Sequence, residues 1–198
     1  MVYEDGRIAR LARELGGAGV APEAAARILE GAEGVRKTDK PEAKAEWLGM
    51  AMRRMDALLD RETRYAIREK CACCLGGKRH DISRLIAREH ATLEERIAAA
   101  NEARFVFGHS VTMLDDGRVL VQFFEEGLPS YRCVCLPQAK ETLSITYCYC
   151  CGGHAKHHLQ AALRRKLSVK VLSSVLASGG TAPCVFDFTI TDGDAAGA

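Results

Sequence analysis

Nine cysteines lie in this chain of 198 residues, and eight of them fall in three short groups. Cys71-Ala72-Cys73-Cys74 and Cys148-Tyr149-Cys150-Cys151 share the pattern C-x-C-C, Cys133-Val134-Cys135 is C-x-C, and Cys184 stands alone. A thiolate is both a nucleophile and a soft metal ligand, so grouped thiols point to one of those chemistries. Each C-x-C-C block contains a C-x-x-C pair, Cys71/Cys74 and Cys148/Cys151. That spacing lets one backbone turn offer two sulfurs to one ion, and two such pairs would complete a tetrahedral zinc site or hold an iron–sulfur cluster. A second arrangement is equally open. On strands, residues two apart share a face, so Cys133 with Cys135 and Cys148 with Cys150 could meet across neighbouring strands at about 5 Å. The spacing does not choose between them. Cys71, Cys73, Cys74, Cys133, Cys135, Cys148, Cys150 and Cys151 are all candidate metal ligands, and Cys148 serves in both arrangements.

Cys150 and Cys151 are also the candidate catalytic thiols. They are expected where a strand gives way to a helix, and a helix N-terminus favours thiolate. His154, three residues on, is the candidate acid/base, with His157 and His158 ranked below it because helix-surface histidines are usually solvated. Gly152 and Gly153 would let a bound group approach the backbone, and Arg132 could hold an anion, so these three are candidate cofactor- or ligand-binding residues. Glu125 and Glu126 are weaker acid/base candidates. The bland alternative is that Cys71 and Cys74, on an apolar stripe, are plain core residues, as Cys184 could be.

Positioning these residues requires two kinds of scaffold. Residues 1–102 read as helices. Ile8, Leu11 and Leu15 keep helical spacing, Pro22 and Pro41 suit first helical turns, and Asp60 could cap a helix carrying Ile67, Cys71 and Cys74 up to Gly76-Gly77. Asp81 is expected to cap the next helix, and Thr92-Leu93-Glu94-Glu95 has capping-box form. The period then changes to two. Asp115-Asp116-Gly117 marks a hairpin, segments 131–136 and 143–150 read as strands, and Gly152-Gly153 leads into a helix to about Lys166. Segments 169–176 and 184–191 form a closing hairpin. The expected fold is α+β: a helical N-terminal half packed on an antiparallel sheet with one long helix between strands. The divisions are 1–102, a Cys-rich ligand-binding-like region 103–191, and a flexible tail 192–198.

Composition excludes several classes. Apolar residues make up 47% and charged residues 27%, which suits a globular core. A formal net charge of +2 argues against an extended nucleic-acid footprint, so nucleic acid is not an expected partner. No run approaches the roughly 18 apolar residues of a membrane span, and Met1–Gly6 does not open like a secretory signal. A cytoplasmic location is expected, where grouped cysteines favour metal or redox chemistry over disulfides. The expected partner is a small-molecule ligand or substrate. A homodimer is left open.

The run Ile145-Thr146-Tyr147-Cys148-Tyr149-Cys150-Cys151-Gly152-Gly153-His154, then a helix and a Val-rich hairpin ending Pro183-Cys184-Val185-Phe186-Asp187-Phe188, carries a resemblance. It resembles the C-terminal half of the vinyl-reductase or hydrocarbon-binding ligand-binding domains and of the 2-aminothiazoline-4-carboxylate hydrolase family. The whole cysteine pattern looks more like an uncharacterised prokaryotic Cys-rich family related to them. The resemblance implies an α+β domain enclosing a small-molecule pocket. It assigns no catalytic residue, because the C-x-C-C blocks depart from those families. The reading is a cysteine-ligated zinc or iron–sulfur protein with a small-molecule-binding domain, a sensor or carrier. The alternative is a metal- or thiolate-dependent enzyme of hydrolase type, acting on a small, sulfur-containing substrate.

Overall fold

The computed structural model describes residues 3–192. It is α+β, with eight α-helices and one four-stranded antiparallel sheet among the described residues. The helices are α1 (Gly6–Gly17), α2 (Pro22–Ile28), α3 (Pro41–Leu58), α4 (Arg61–Lys70), α5 (Gly77–Glu89), α6 (Leu93–Glu102), α7 (Arg104–Phe107) and α8 (Ile145–Leu163). The strands are β1 (Ser110–Met113), β2 (Val119–Gln122), β3 (Leu167–Ser173) and β4 (Val185–Ile190), in the order β1-β2-β4-β3. Part of the tail expected over 192–198, residues 193–198, lies outside the described residues.

Local signals in the helical region act as expected. Asp60 accepts from the Thr63 amide at 2.9 Å to start α4. Thr92 and Glu95 close a reciprocal capping box at α6. The hairpin around Asp115-Asp116-Gly117 forms β1 and β2, and the closing hairpin forms β3 and β4. Phe186 of β4 faces Val121 on one side and Val171 on the other, and all three are buried.

Four expectations are corrected. Segment 143–150 is not a strand, because α8 begins at Ile145 and runs through the whole cysteine block. Ser144 caps it, its side chain accepting from the Thr146 amide at 3.2 Å. The alternation of Tyr and Cys imitates a strand, but residues 146–153 are buried on every side, so polar–apolar alternation carries no information there. Segment 131–136 is not a strand either. It is an irregular crossing, buried at Tyr131, Cys133 and Leu136, with the Tyr131 amide donating to the Gly180 carbonyl. Finally, α4 ends at Lys70, so Cys71 is its C-cap and Cys73 and Cys74 lie on a loop. Gly76 is the N-cap of α5, and Asp81 sits inside that helix rather than capping it.

The central helix α8 is held on both sides by glycine. A Cβ on Gly153 would lie 2.2 Å from the Glu69 carbonyl oxygen of α4. A Cβ on Gly152 would lie 3.3 Å from Val169 of β3. Each glycine therefore permits a close approach between elements, and neither is on the wall of the thiol cavity described below. Further along, Ala155, Leu159, Ala162 and Leu163 are essentially inaccessible.

Candidate functional site

On a helix at 100° per residue, the three cysteines of α8 separate. Cys148, Gly152, Ala155 and Leu159 follow i, i+4, i+7, i+11 spacing, the stripe that Gly152 lays on the sheet. Tyr147, Cys151, His154 and His158 follow the same spacing on another stripe, with Cys150 beside them. This phase decides which thiols converge.

Five of them do. Cys73, Cys74, Cys135, Cys150 and Cys151, with His154, line one cavity of about 340 Å³. Its wall also includes Phe105, Phe123 and Phe124, with Arg79 and Arg104 as the basic members. The Cys135 and Cys151 sulfurs are 3.1 Å apart, and those of Cys73 and Cys74 are 3.9 Å apart. These separations bracket the roughly 3.8 Å edge of a sulfur tetrahedron with 2.3 Å metal–sulfur bonds. Three stretches of chain distant in sequence thus supply the thiols.

A buried cation lies behind them. Arg68 is 3% exposed, yet no carboxylate among the described residues pairs with it. One guanidinium nitrogen donates to the Tyr147 carbonyl at 3.3 Å, its Nε has no partner, and the group stacks 4.8 Å from the Tyr147 ring. An uncompensated buried charge is costly, so the nearby groups able to become anions matter. Burial works against the guanidinium charge, but the neighbouring Cys150, Cys71 and Cys151 thiols outweigh it. The effect is mutual. The Cys150 thiol falls to about 6, first because Cys151 hydrogen-bonds to it and then because Arg68 offsets the cost of burial. Cys135 is lowered mainly by its hydrogen bond from Cys151, and Cys151 is raised because it keeps the proton both neighbours draw on. Cys73 remains a thiol, pushed up to about 11 by partial burial and by Cys74.

The histidines fasten the cysteine loop. His154 Nδ1 donates to the Cys73 carbonyl at 2.9 Å, His158 Nε2 to the Cys74 carbonyl at 3.0 Å, and His157 Nε2 to the Leu75 carbonyl at 2.9 Å. The loop needs that support, because Cys74 has a left-handed φ of 59°, a conformation costly for a residue with a Cβ. Burial lowers the His154 imidazole, and it lowers His158 to about 4, so both are neutral near pH 7. Arg7 donates to the Cys135 carbonyl at 3.0 Å.

The remaining candidates fall elsewhere. Cys148 donates to Ser174 Oγ at 3.0 Å, while Cys133 and Cys184 each accept a backbone amide at 3.4 Å. All three are buried and lie off the cavity wall. Cys71 is buried beside Arg68 rather than on that wall. Arg132 is exposed and donates to the Pro137 carbonyl at 3.2 Å, away from the cavity. Glu125 and Glu126 are not on the cavity wall either. Sequence reasoning missed Arg68. Its place in the sequence, one residue after Ile67 and three before Cys71, is that of an ordinary helical arginine. His80 was missed as well. Among the described residues, His80, His157 and His158 form the group of three donor side chains whose ligand atoms all lie within 4.8 Å of one another, and the thiols form no group that tight.

The fold and cavity define an α+β protein with a thiol-lined pocket backed by a buried arginine. The chain belongs to a family of unknown function (DUF6144), whose model matches residues 18–193. No curated protein and no solved structure matches the chain. No helix among the described residues is long and apolar enough to cross a membrane.

Proposed function

We propose that the chain is a cysteine-ligated metal protein whose cavity also admits a small molecule, acting as a sensor or carrier. The observation that carries this reading is the meeting of Cys73, Cys74, Cys135, Cys150 and Cys151 on one wall, with Cys135 and Cys151 at 3.1 Å. Soft thiolates select zinc or an iron–sulfur cluster. Cys135, Cys150 and Cys151 come from the pre-set side of the pocket. Cys73 and Cys74, both exposed, would complete the set by side-chain rotation as an ion draws them in. Arg68 supports the reading because thiolates bound to a metal keep negative charge next to a buried cation that no carboxylate among the described residues pairs with. The cavity volume and the phenylalanines on its wall suit a small apolar ligand, in line with the resemblance to hydrocarbon-binding domains.

A second reading has its own support. Cys150, lowered to about 6, beside neutral His154 is also the pairing a thiolate-dependent enzyme would use. Anaerobic purification followed by elemental analysis of wild type, Cys151→Ala and Cys148→Ala separates the readings. The metal reading expects the same metal content in wild type and Cys148→Ala and a lower content in Cys151→Ala. Equal metal content in Cys148→Ala and Cys151→Ala rejects this ligand set. Metal-free protein with one fast-alkylating cysteine at Cys150 favours the enzyme.

A further inference from the structure

We propose that His80, His157 and His158 form a second metal site, separate from the thiols, for a borderline divalent cation of the zinc type. One ring nitrogen of each lies within 4.8 Å of one of each other. The hydrogen bonds say which nitrogens are available. A carbonyl only accepts, so His157 Nε2 carries the proton toward Leu75 and His158 Nε2 carries it toward Cys74. In the neutral rings the Nδ1 atoms then hold the lone pairs. His158 Nδ1 lies 3.4 Å from Ser83 Oγ, but that hydroxyl spends its single proton on the Arg79 carbonyl at 2.9 Å. The lone pair of His158 therefore has no donor. On His80, Nδ1 is buried with no hydrogen-bond partner.

Three imidazoles thus converge with nitrogens left unspent, although a buried polar atom ordinarily finds a partner. A backbone carbonyl on the opposite ring nitrogen is also what orients a ligating histidine and makes it more basic. None of the three histidines is on the wall of the thiol cavity. His80 is on the wall of an open groove of about 770 Å³, whose other lining residues include Lys78, Arg84, Arg88 and Arg164. Three nitrogens and an exchangeable fourth position beside a cationic groove fit water or a small anion on the metal. The two sites share the loop between α4 and α5, because the Cys74 and Leu75 carbonyls accept from His158 and His157. A cation on these histidines would stiffen the segment that carries Cys73 and Cys74.

Cobalt(II) titration of the metal-free full chain tests the site without relying on the thiols. Wild type should bind a component that shows d–d absorption with no thiolate-to-cobalt charge-transfer band. His80→Ala and His157→Ala should each lose that component, and any charge-transfer component should remain in His80→Ala, since it is His157 that holds the Leu75 carbonyl of the cysteine loop. Circular dichroism of both variants should match wild type, since neither ring is fully buried. Two results would overturn the proposal. One is a wild-type protein whose bound cobalt shows only thiolate charge transfer, or that binds none. The other is unchanged cobalt stoichiometry in His80→Ala and His157→Ala.

Discussion

Two sets of cysteines in this molecule differ in little but their surroundings. Cys135, Cys150 and Cys151 gather at the cavity in front of Arg68, whereas Cys133, Cys148 and Cys184 sit on the sheet side of α8 and in the loops that cover it. In the first set the hydrogen bond from Cys151 and the guanidinium of Arg68 bring Cys150 down to about 6. In the second, burial drives all three thiols up, Cys184 to about 12. Those sulfurs act as small core groups that satisfy a loop amide or a serine hydroxyl. Cysteine spacing does not separate the sets. A buried cation and the phase of one helix do.

The largest disturbance should come from Gly153→Ala. The new Cβ would need space 2.2 Å from the Glu69 carbonyl, so α4 and α8 must part and Arg68 must leave the thiols. We expect a loss of about 3 kcal/mol or more in urea unfolding, at the upper end for overpacking. A loss under about 1 kcal/mol would mean that α4 and α8 are not in this contact.

Arg68→Met should keep the volume and remove the charge. The Cys150 thiol should rise from about 6, because burial is then no longer offset by the guanidinium while the Cys151 hydrogen bond remains. Its alkylation rate at pH 7 in metal-free protein should fall several-fold through lost thiolate. An unchanged rate would show that Arg68 does not set the difference between the two groups.

The core set makes the opposite prediction with pH. The folded Cys184 thiol is raised to about 12 from an ordinary 9.0, and Cys148 is raised as well. Unfolding therefore releases protons above pH 9, and the stability present below pH 9 should be lost as pH climbs from 9 toward 12. Cys184→Ala should flatten that part of the profile, and an equally steep decline in the variant would remove the assignment.

The smallest effect should be that of Cys148→Ala. It loses a hydrogen bond to Ser174 and one buried sulfur, worth about 1–2 kcal/mol. Metal content should stay as in wild type.

Much of the fold was legible because its signals are local. The Asp60 cap, the Thr92 box, Pro22, Pro41 and the Asp115-Asp116-Gly117 turn each act through neighbours a few residues away. The core of the chain was harder to read for the same reason reversed. Tyr147–Cys151 is buried all round, so its alternation suggested strand when the true constraint was packing against α4, α5 and β3. That single misreading kept Cys148 with Cys150 and hid the sorting. Reading the block as helix places Cys151, His154 and His158 on one stripe and Cys148 with Gly152 on another. The convergence of grouped thiols was visible in their clustering. The role of Arg68 was not, since a lone arginine in a helix reads as solvated until its burial is known.

The central claim is that the cavity thiols hold a metal, and X-ray absorption at the metal edge of anaerobically reconstituted full-length protein addresses it most directly. Measured in the His80→Ala background, so that the histidine site adds no nitrogen ligands, the metal should show three to four sulfur neighbours at about 2.3 Å, fewer when Cys151→Ala is added and the same when Cys148→Ala is added. A first shell made of nitrogen and oxygen alone, or protein that takes up no metal, would contradict it.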